Sequence, residues 1–204
     1  MQPKIKTVTD ELKHHIPFTS TATLIAVLIV VFTVYFLKST ISEETFHIFH
    51  YSHITVSAVV TAGIFFKYRP HTLLAVIVGV TGAILIGSLS DILFPFLISS
   101  LLGFEIHFHL PLFEETLPVL FFAFLGSLFG IVTKMTKAPH FIHVFLSVFA
   151  SLFYLLAFSS VFVGFYFIVA FFIVFIAVII PSSFSDIVYP LIFVSSEKKD
   201  EQSQ

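Results

Sequence analysis

The chain has 204 residues, 57% hydrophobic and 11% charged, with ten Lys and Arg against twelve Asp and Glu, a formal net charge of −2 and a mean hydropathy of +1.05. Soluble globular domains carry about 25% charged residues, so this composition excludes a soluble domain and gives no basic surface for nucleic acid. There is no Cys, which excludes disulfides, thiolate metal sites and cysteine nucleophiles.

Residues 1–17 are polar, with Lys4, Lys6, Asp10, Glu11 and Lys13. The apolar run that follows lacks a small-residue cleavage site, so no removed signal peptide is expected. Apolar stretches then recur near 18–37, 47–66, 72–90, 116–133, 141–158 and 161–181, each close to the ~20 residues that span a bilayer. They predict an all-α polytopic membrane protein, a single membrane domain over 1–204 with six transmembrane helices. Nine of the ten basic residues fall before the first stretch, between the second and third, between the fourth and fifth, or after the sixth; Lys38 alone lies on the other side. The positive-inside rule then places both termini in the cytoplasm, with 197–204 as a polar cytoplasmic tail, and turns Glu43, Glu44, Glu105, Glu114 and Glu115 outward.

One motif occurs twice: Ser88-Leu-Ser-Asp-Ile-Leu-Phe-Pro95 and Ser183-Phe-Ser-Asp-Ile-Val-Tyr-Pro190. Each copy sets an Asp in an apolar run longer than one membrane crossing, where an ionisable group is expensive. Pro removes a backbone donor and Ser and Asp are good caps, so both motifs are expected to break their helices, with 91–103 and 186–196 re-entrant or interfacial. Walking back from Asp91 and Asp186, His47-x-x-His50 falls opposite His140-x-x-His143, and His15-x-Pro17 opposite His109-x-Pro111. Three motifs in matched order argue a duplication. Its units are 11–104 and 105–196. Each holds three spans, an odd number, so the two repeats are inverted, as in many secondary transporters.

Two constellations follow. His47, His50, Asp91 and His109 are expected at the outer face, and His15, His140, His143 and Asp186 at the inner face. Spacing of three puts both His of a pair on one helix side, and an Asp with a further His completes an N/O shell suited to Zn²⁺, with Fe²⁺ or Mn²⁺ as alternatives. Further candidate ligands are His14, His53, His107, Glu114 and Glu115. His53 and His107 have no counterpart in the other half, where Leu146 and Lys13 stand, and rank as extras. A lone interfacial His is ordinarily just a hydrogen-bonded polar residue, and a Glu pair at a helix start is ordinarily favoured by the dipole alone. The matched order of the whole set is what points to metal.

The expected function is transport of a divalent transition metal by a transporter or permease. The alternatives are a membrane-embedded metal-dependent hydrolase, with Glu114 or Glu115 as the base for a metal-bound water, and a metal-stabilised structural or sensor protein. His-Glu-x-x-His and Gly-x-Ser-x-Gly are both absent, so no other catalytic residue is assigned. The expected partners are the lipid bilayer and the metal ion, without nucleic acid. A homo-oligomer is compatible with the sequence.

Overall fold

The computed structural model describes the backbone of residues 5–134, 137–161 and 164–185, and side chains within 16–134, 142–161 and 164–181. Every described element is helical: α1 Ile5–Tyr35, α2 Glu43–Tyr68, α3 Thr72–Ser88, a π-helical turn Leu89–Leu93, α4 Phe94–Leu101, α5 Pro111–Glu114, α6 Thr116–Thr133, α7 Lys137–Ala157 and α8 Tyr166–Ser185. Local signals place the ends. Ser42 caps α2 by accepting the Thr45 N–H, His71 caps α3 by accepting from Leu74 N, and α6 stops at Lys134 in the left-handed region, φ 52°.

Four described stretches are long and apolar enough to cross a membrane: Ile16–Tyr35, Glu43–Tyr68, Thr72–Leu101 and Thr116–Thr133. Ile142–Ala157 and Tyr166–Pro181 are apolar and shorter. Large apolar side chains face outward, among them Leu24, Leu28 and Phe32 of α1 and Leu117, Phe121 and Val132 of α6. Helices satisfy their own backbone groups, and an apolar exterior on such helices suits hydrocarbon. This is the build of a helical membrane protein.

The helices pack as two groups. In one, α1, α7 and α8 share a core containing Ala22, Ala26, Val30, Val148, Leu152, Ala170, Val174 and Val178. In the other, α2, α3 and α6 close over Ile54, Ala58, Ala83, Val119 and Ala123. The two groups meet chiefly where α2 lies along α7 and where the π turn inserts beside α7 and α8.

Small residues let α2 and α6 touch almost backbone to backbone. A Cβ added at Gly126 would overlap the Thr55 carbonyl, and one added at Gly130 would overlap the Val59 carbonyl. This small-xxx-small seam is the usual way for apolar helices to associate where lipid tails compete for every apolar contact.

The motif at Ser88–Pro95 does not break its helix. Backbone angles stay helical through Ser88, Leu93 and Phe94, and the chain runs on to Leu101. The expected interruption is replaced by one wider turn, in which Phe94 N–H donates to the Leu89 carbonyl, five residues back. Pro95 has no N–H to give to Asp91, so one α-helical bond is missing whatever the path, and the π turn absorbs it locally. Nor does Ser90 act as a cap: its hydroxyl donates to the Ile86 carbonyl at 3.0 Å and to Asp91 Oδ1 at 2.8 Å. The equivalent segment 186–196 lies outside the described residues.

Gly126→Val should separate α2 from α6 and destabilise the protein by ~1–3 kcal/mol, the usual range for overpacking a tight contact, read as a lowered unfolding temperature in detergent. Leu128→Val on the exposed side of the same helix should leave that temperature nearly unchanged.

Candidate functional site

Asp91 is completely buried, and its carboxylate collects four donors. Oδ2 lies 2.9 Å from His50 Nδ1 and 2.7 Å from His53 Nδ1, both on α2. Oδ1 accepts from Ser90 Oγ at 2.8 Å and from Ser147 Oγ of α7 at 3.0 Å. With Asp91 as the carboxylate, which has only acceptor sites, both imidazoles carry hydrogen on Nδ1, and the single hydrogen of Ser90 is shared between Asp91 Oδ1 and the Ile86 carbonyl.

That arrangement fixes the other side of each ring. With hydrogen on Nδ1, a neutral imidazole presents a lone pair at Nε2, and His53 Nε2 has no hydrogen-bond partner among the described residues although it is buried. The ring of His143 from α7 lies on the His53 ring, centroids 4.6 Å apart and planes 21° apart. Gly87 lets α3 lie close to α2: a Cβ there would stand a tight 3.1 Å from Ile54 Cγ1, while His50 Cε1 at 3.8 Å and His53 Nδ1 at 3.9 Å would be at ordinary contact distance.

A second group sits one helical turn nearer the end of the bundle. His47 Nε2 is 2.9 Å from His109 Nε2. Behind them, Glu114 Oε2 lies 2.7 Å from His109 Nδ1 and Glu115 Oε1 lies 3.4 Å from His47 Nδ1. Tyr51 donates its hydroxyl to Glu115 Oε2. His109 is carried by the segment between α4 and α5, which is tied to the last turn of α7 and the residues just after it: His107 N–H donates to the Phe158 carbonyl, Tyr154 Oη to the His107 carbonyl and Ser159 Oγ to the Glu105 carbonyl.

The structure thus gathers His47, His50, Asp91 and His109 in two groups rather than one, His47 and His109 nearer the end of the bundle and His50 and Asp91 deeper. His53, an extra by sequence, is in direct contact with Asp91. His143, expected with the opposite cluster, stands against His53. Glu114 and Glu115 join the mouth group. His107 enters neither group and contributes its backbone, and Glu115, at the N-cap of α6, makes no side-chain cap bond there. The side chains of His14, His15 and His140, and all of Asp186, lie outside the described residues. Sequence reasoning passed over Ser147, Ser151 and Tyr154, which follow His143 at intervals of four, four and three along α7. Polar residues at helical spacing on an otherwise apolar helix are the signal that could have found them.

Comparison with protein-family models, curated proteins and solved structures gives no match. The chemistry therefore rests on the side chains themselves.

Among the described residues, no three His, Asp or Glu side chains already stand as a metal shell. What the site offers instead is orientation. In each of four imidazoles, His47, His50, His53 and His109, Nδ1 faces a carboxylate. A carboxylate behind Nδ1 is the usual support for a histidine that ligates through Nε2, because it fixes the tautomer and raises the basicity of the ligating nitrogen.

Replacing Asp91 with Ala should leave buried donors from α2, the π turn and α7 without an acceptor and cost ~3–5 kcal/mol, measured by thermal unfolding in detergent. Asp91→Asn keeps an acceptor oxygen for the imidazoles and an amide for the serine hydroxyls, and should unfold at a temperature between Ala and wild type.

Proposed function

We propose that this protein binds a divalent transition metal, Zn²⁺ foremost with Fe²⁺ or Mn²⁺ as alternatives, and moves it across the membrane. The observation that carries the reading is the Asp91 carboxylate, which holds His50 and His53 by Nδ1 and so leaves Nε2 as the ligating nitrogen of each ring, with His143 stacked on the His53 ring. The Nε2 of His53, which has no hydrogen-bond partner among the described residues, is a buried nitrogen that an imidazole–metal bond would satisfy.

Depth supports transport. The helix through the motif continues ten residues past Asp91 to Leu101, so at ~1.5 Å per residue Asp91 lies ~15 Å below that end. His53 is likewise ten residues, ~15 Å, from the start of α2 at Glu43. Against a hydrocarbon core of ~30 Å, the Asp91 group belongs near the midplane, where transporter sites are usually built. Glu114 and Glu115 at the mouth would draw cations toward it.

The full architecture in this reading has six spans in two inverted three-helix units, with both termini cytoplasmic. Its support is the way the first helix of each unit packs on the other: α1 lies on α7 and α8, α6 lies on α2 and α3, and α2 pairs with α7 between them. In the second unit, 105–196, His143 takes the place that His50 has in the first, and Asp186 would be its carboxylate. The lipid bilayer and the metal ion are the partners. A second reading, a membrane-embedded metal enzyme, is favoured by Glu115, a carboxylate engaged by Tyr51 beside the mouth imidazoles. It would hold its ion without passing it.

Elemental analysis of the purified protein should find bound transition metal that is reduced in His50→Ala/His53→Ala. Metal content equal to wild type in that variant would remove the Asp91 group from the reading. In proteoliposomes the wild type should take up ⁶⁵Zn and His53→Ala should not; retained binding without uptake by wild type would favour the enzyme. Single cysteines at Ser42 and Ala138 in this Cys-free chain should label from opposite sides, and labelling from one side would end the inverted arrangement.

A further inference from the structure

Aromatic rings, those of Phe46 and Tyr51, stand between the mouth group and the Asp91 group. Phe46 of α2 is fully buried between them, its ring stacked on His50 with centroids 5.4 Å apart and turned edge-on to His109 at 6.3 Å. No polar contact joins the two groups among the described residues: His50 gives its Nδ1 to Asp91, whereas His47 meets His109 and Glu115.

Within the mouth, two ring nitrogens face one point from separate parts of the chain. His47 Nε2 comes from the first turns of α2 and His109 Nε2 from the segment before α5, 2.9 Å apart. Each ring has a Glu behind its Nδ1, and each is held in place by stacking, His47 on Tyr51 with centroids 5.8 Å apart and His109 on Phe158 with centroids 4.7 Å apart. Two imidazoles on one tetrahedral ion, with metal–nitrogen bonds of ~2.0–2.1 Å, hold their nitrogens ~3.3 Å apart. The observed spacing needs only a few tenths of an ångström of opening. Without an ion, the pair has to share one hydrogen between two acceptors, and a cation replaces that hydrogen without further rearrangement.

We infer that the mouth is a second divalent transition-metal site, with His47 Nε2 and His109 Nε2 as ligands, Glu114 and Glu115 as the groups that position them, and water completing the shell. It deepens the transport reading by giving the ion an entry station, yet its geometry does not depend on the Asp91 group. Two protein ligands and open positions make an exchangeable site, which suits a mouth better than a closed structural shell. His109 rides on the segment strapped to α7 through His107 and Glu105, so displacement of that segment would remove one of the two ligands and release the ion.

The test is equilibrium dialysis of the full chain in detergent against Zn²⁺, comparing wild type, His47→Gln, His109→Gln, Glu114→Gln and His50→Gln/His53→Gln, each checked for helicity and a single peak on gel filtration. Wild type should bind two ions. His47→Gln and His109→Gln should each lose one, and the His50/His53 variant should lose the other. Glu114 is half exposed, so Glu114→Gln should fold normally and keep two ions while weakening one of them ~10–100-fold. Two ions bound by His109→Gln with wild-type affinity would overturn the inference. So would a single wild-type ion that only the His50/His53 variant loses, which leaves the Asp91 reading standing. A single ion lost only in the mouth variants would uphold the inference and remove the Asp91 reading, and no bound ion in wild type would overturn both.

Discussion

A carboxylate in an apolar helix bundle is tolerated only when its charge is met on every side, and Asp91 dictates much of this molecule for that reason. An unpaired buried ion costs several kcal/mol even after relaxation. Here the compensation comes from three elements at once: two imidazoles from α2, one hydroxyl from the π turn and one from α7. The register of α2 against α7 follows, because a slip of one residue on either helix would turn its donors away. Gly87 serves the same contact by letting α3 lie close to α2, since a Cβ there would press on Ile54 at 3.1 Å.

The π turn settles where that charge sits. In an α-helix Phe94 N–H would bond the Ser90 carbonyl; here it bonds Leu89, and the freed Ser90 carbonyl accepts from Ser151 Oγ at 2.9 Å. Buried backbone groups must find partners, and the one released by the wider turn finds its own on α7. Ser147 and Ser151, four residues apart, thus serve the carboxylate and the altered backbone in turn. The helix survives its Pro, and the ten residues beyond Asp91 keep the carboxylate far from the helix end.

Much of this was legible in the chain. Apolar runs of bilayer length located the long helices, α2 and α6 to within a few residues, whereas α1 starts at Ile5 rather than near 18 and the helix from Thr72 runs to Leu101 rather than ending near 90. The repeated Ser-x-Ser-Asp-Ile-x-x-Pro motif identified Asp91, and His spacing identified His50 as a residue on its side of α2. Three things were hidden. Pro95 reads as a stop in a string of letters, and only the backbone shows that one wide turn can carry it. His53 was discounted because Leu146 stands opposite it in the repeat, yet a residue three positions after His50 shares its helix face whatever the other half contains. The division of the outer set into two groups depends on Phe46, which looks like any other of the 29 Phe until its ring is seen between His50 and His109.

The seam between α2 and α6 has a mechanical consequence. Where backbones meet without side chains between them, no rotamer change can ease one helix past the other, so α2 and α6 are joined along a stiff seam. The facing boundary is upholstered with rings instead: Phe49 against Phe149 and Phe153, His53 against His143. The phenyl rings can restack at smaller cost than backbones can part, while the His53 ring stays held by Asp91. Any rocking of this bundle therefore has its fulcrum along α2 and α7, with the imidazole pair on the line about which the two halves would turn.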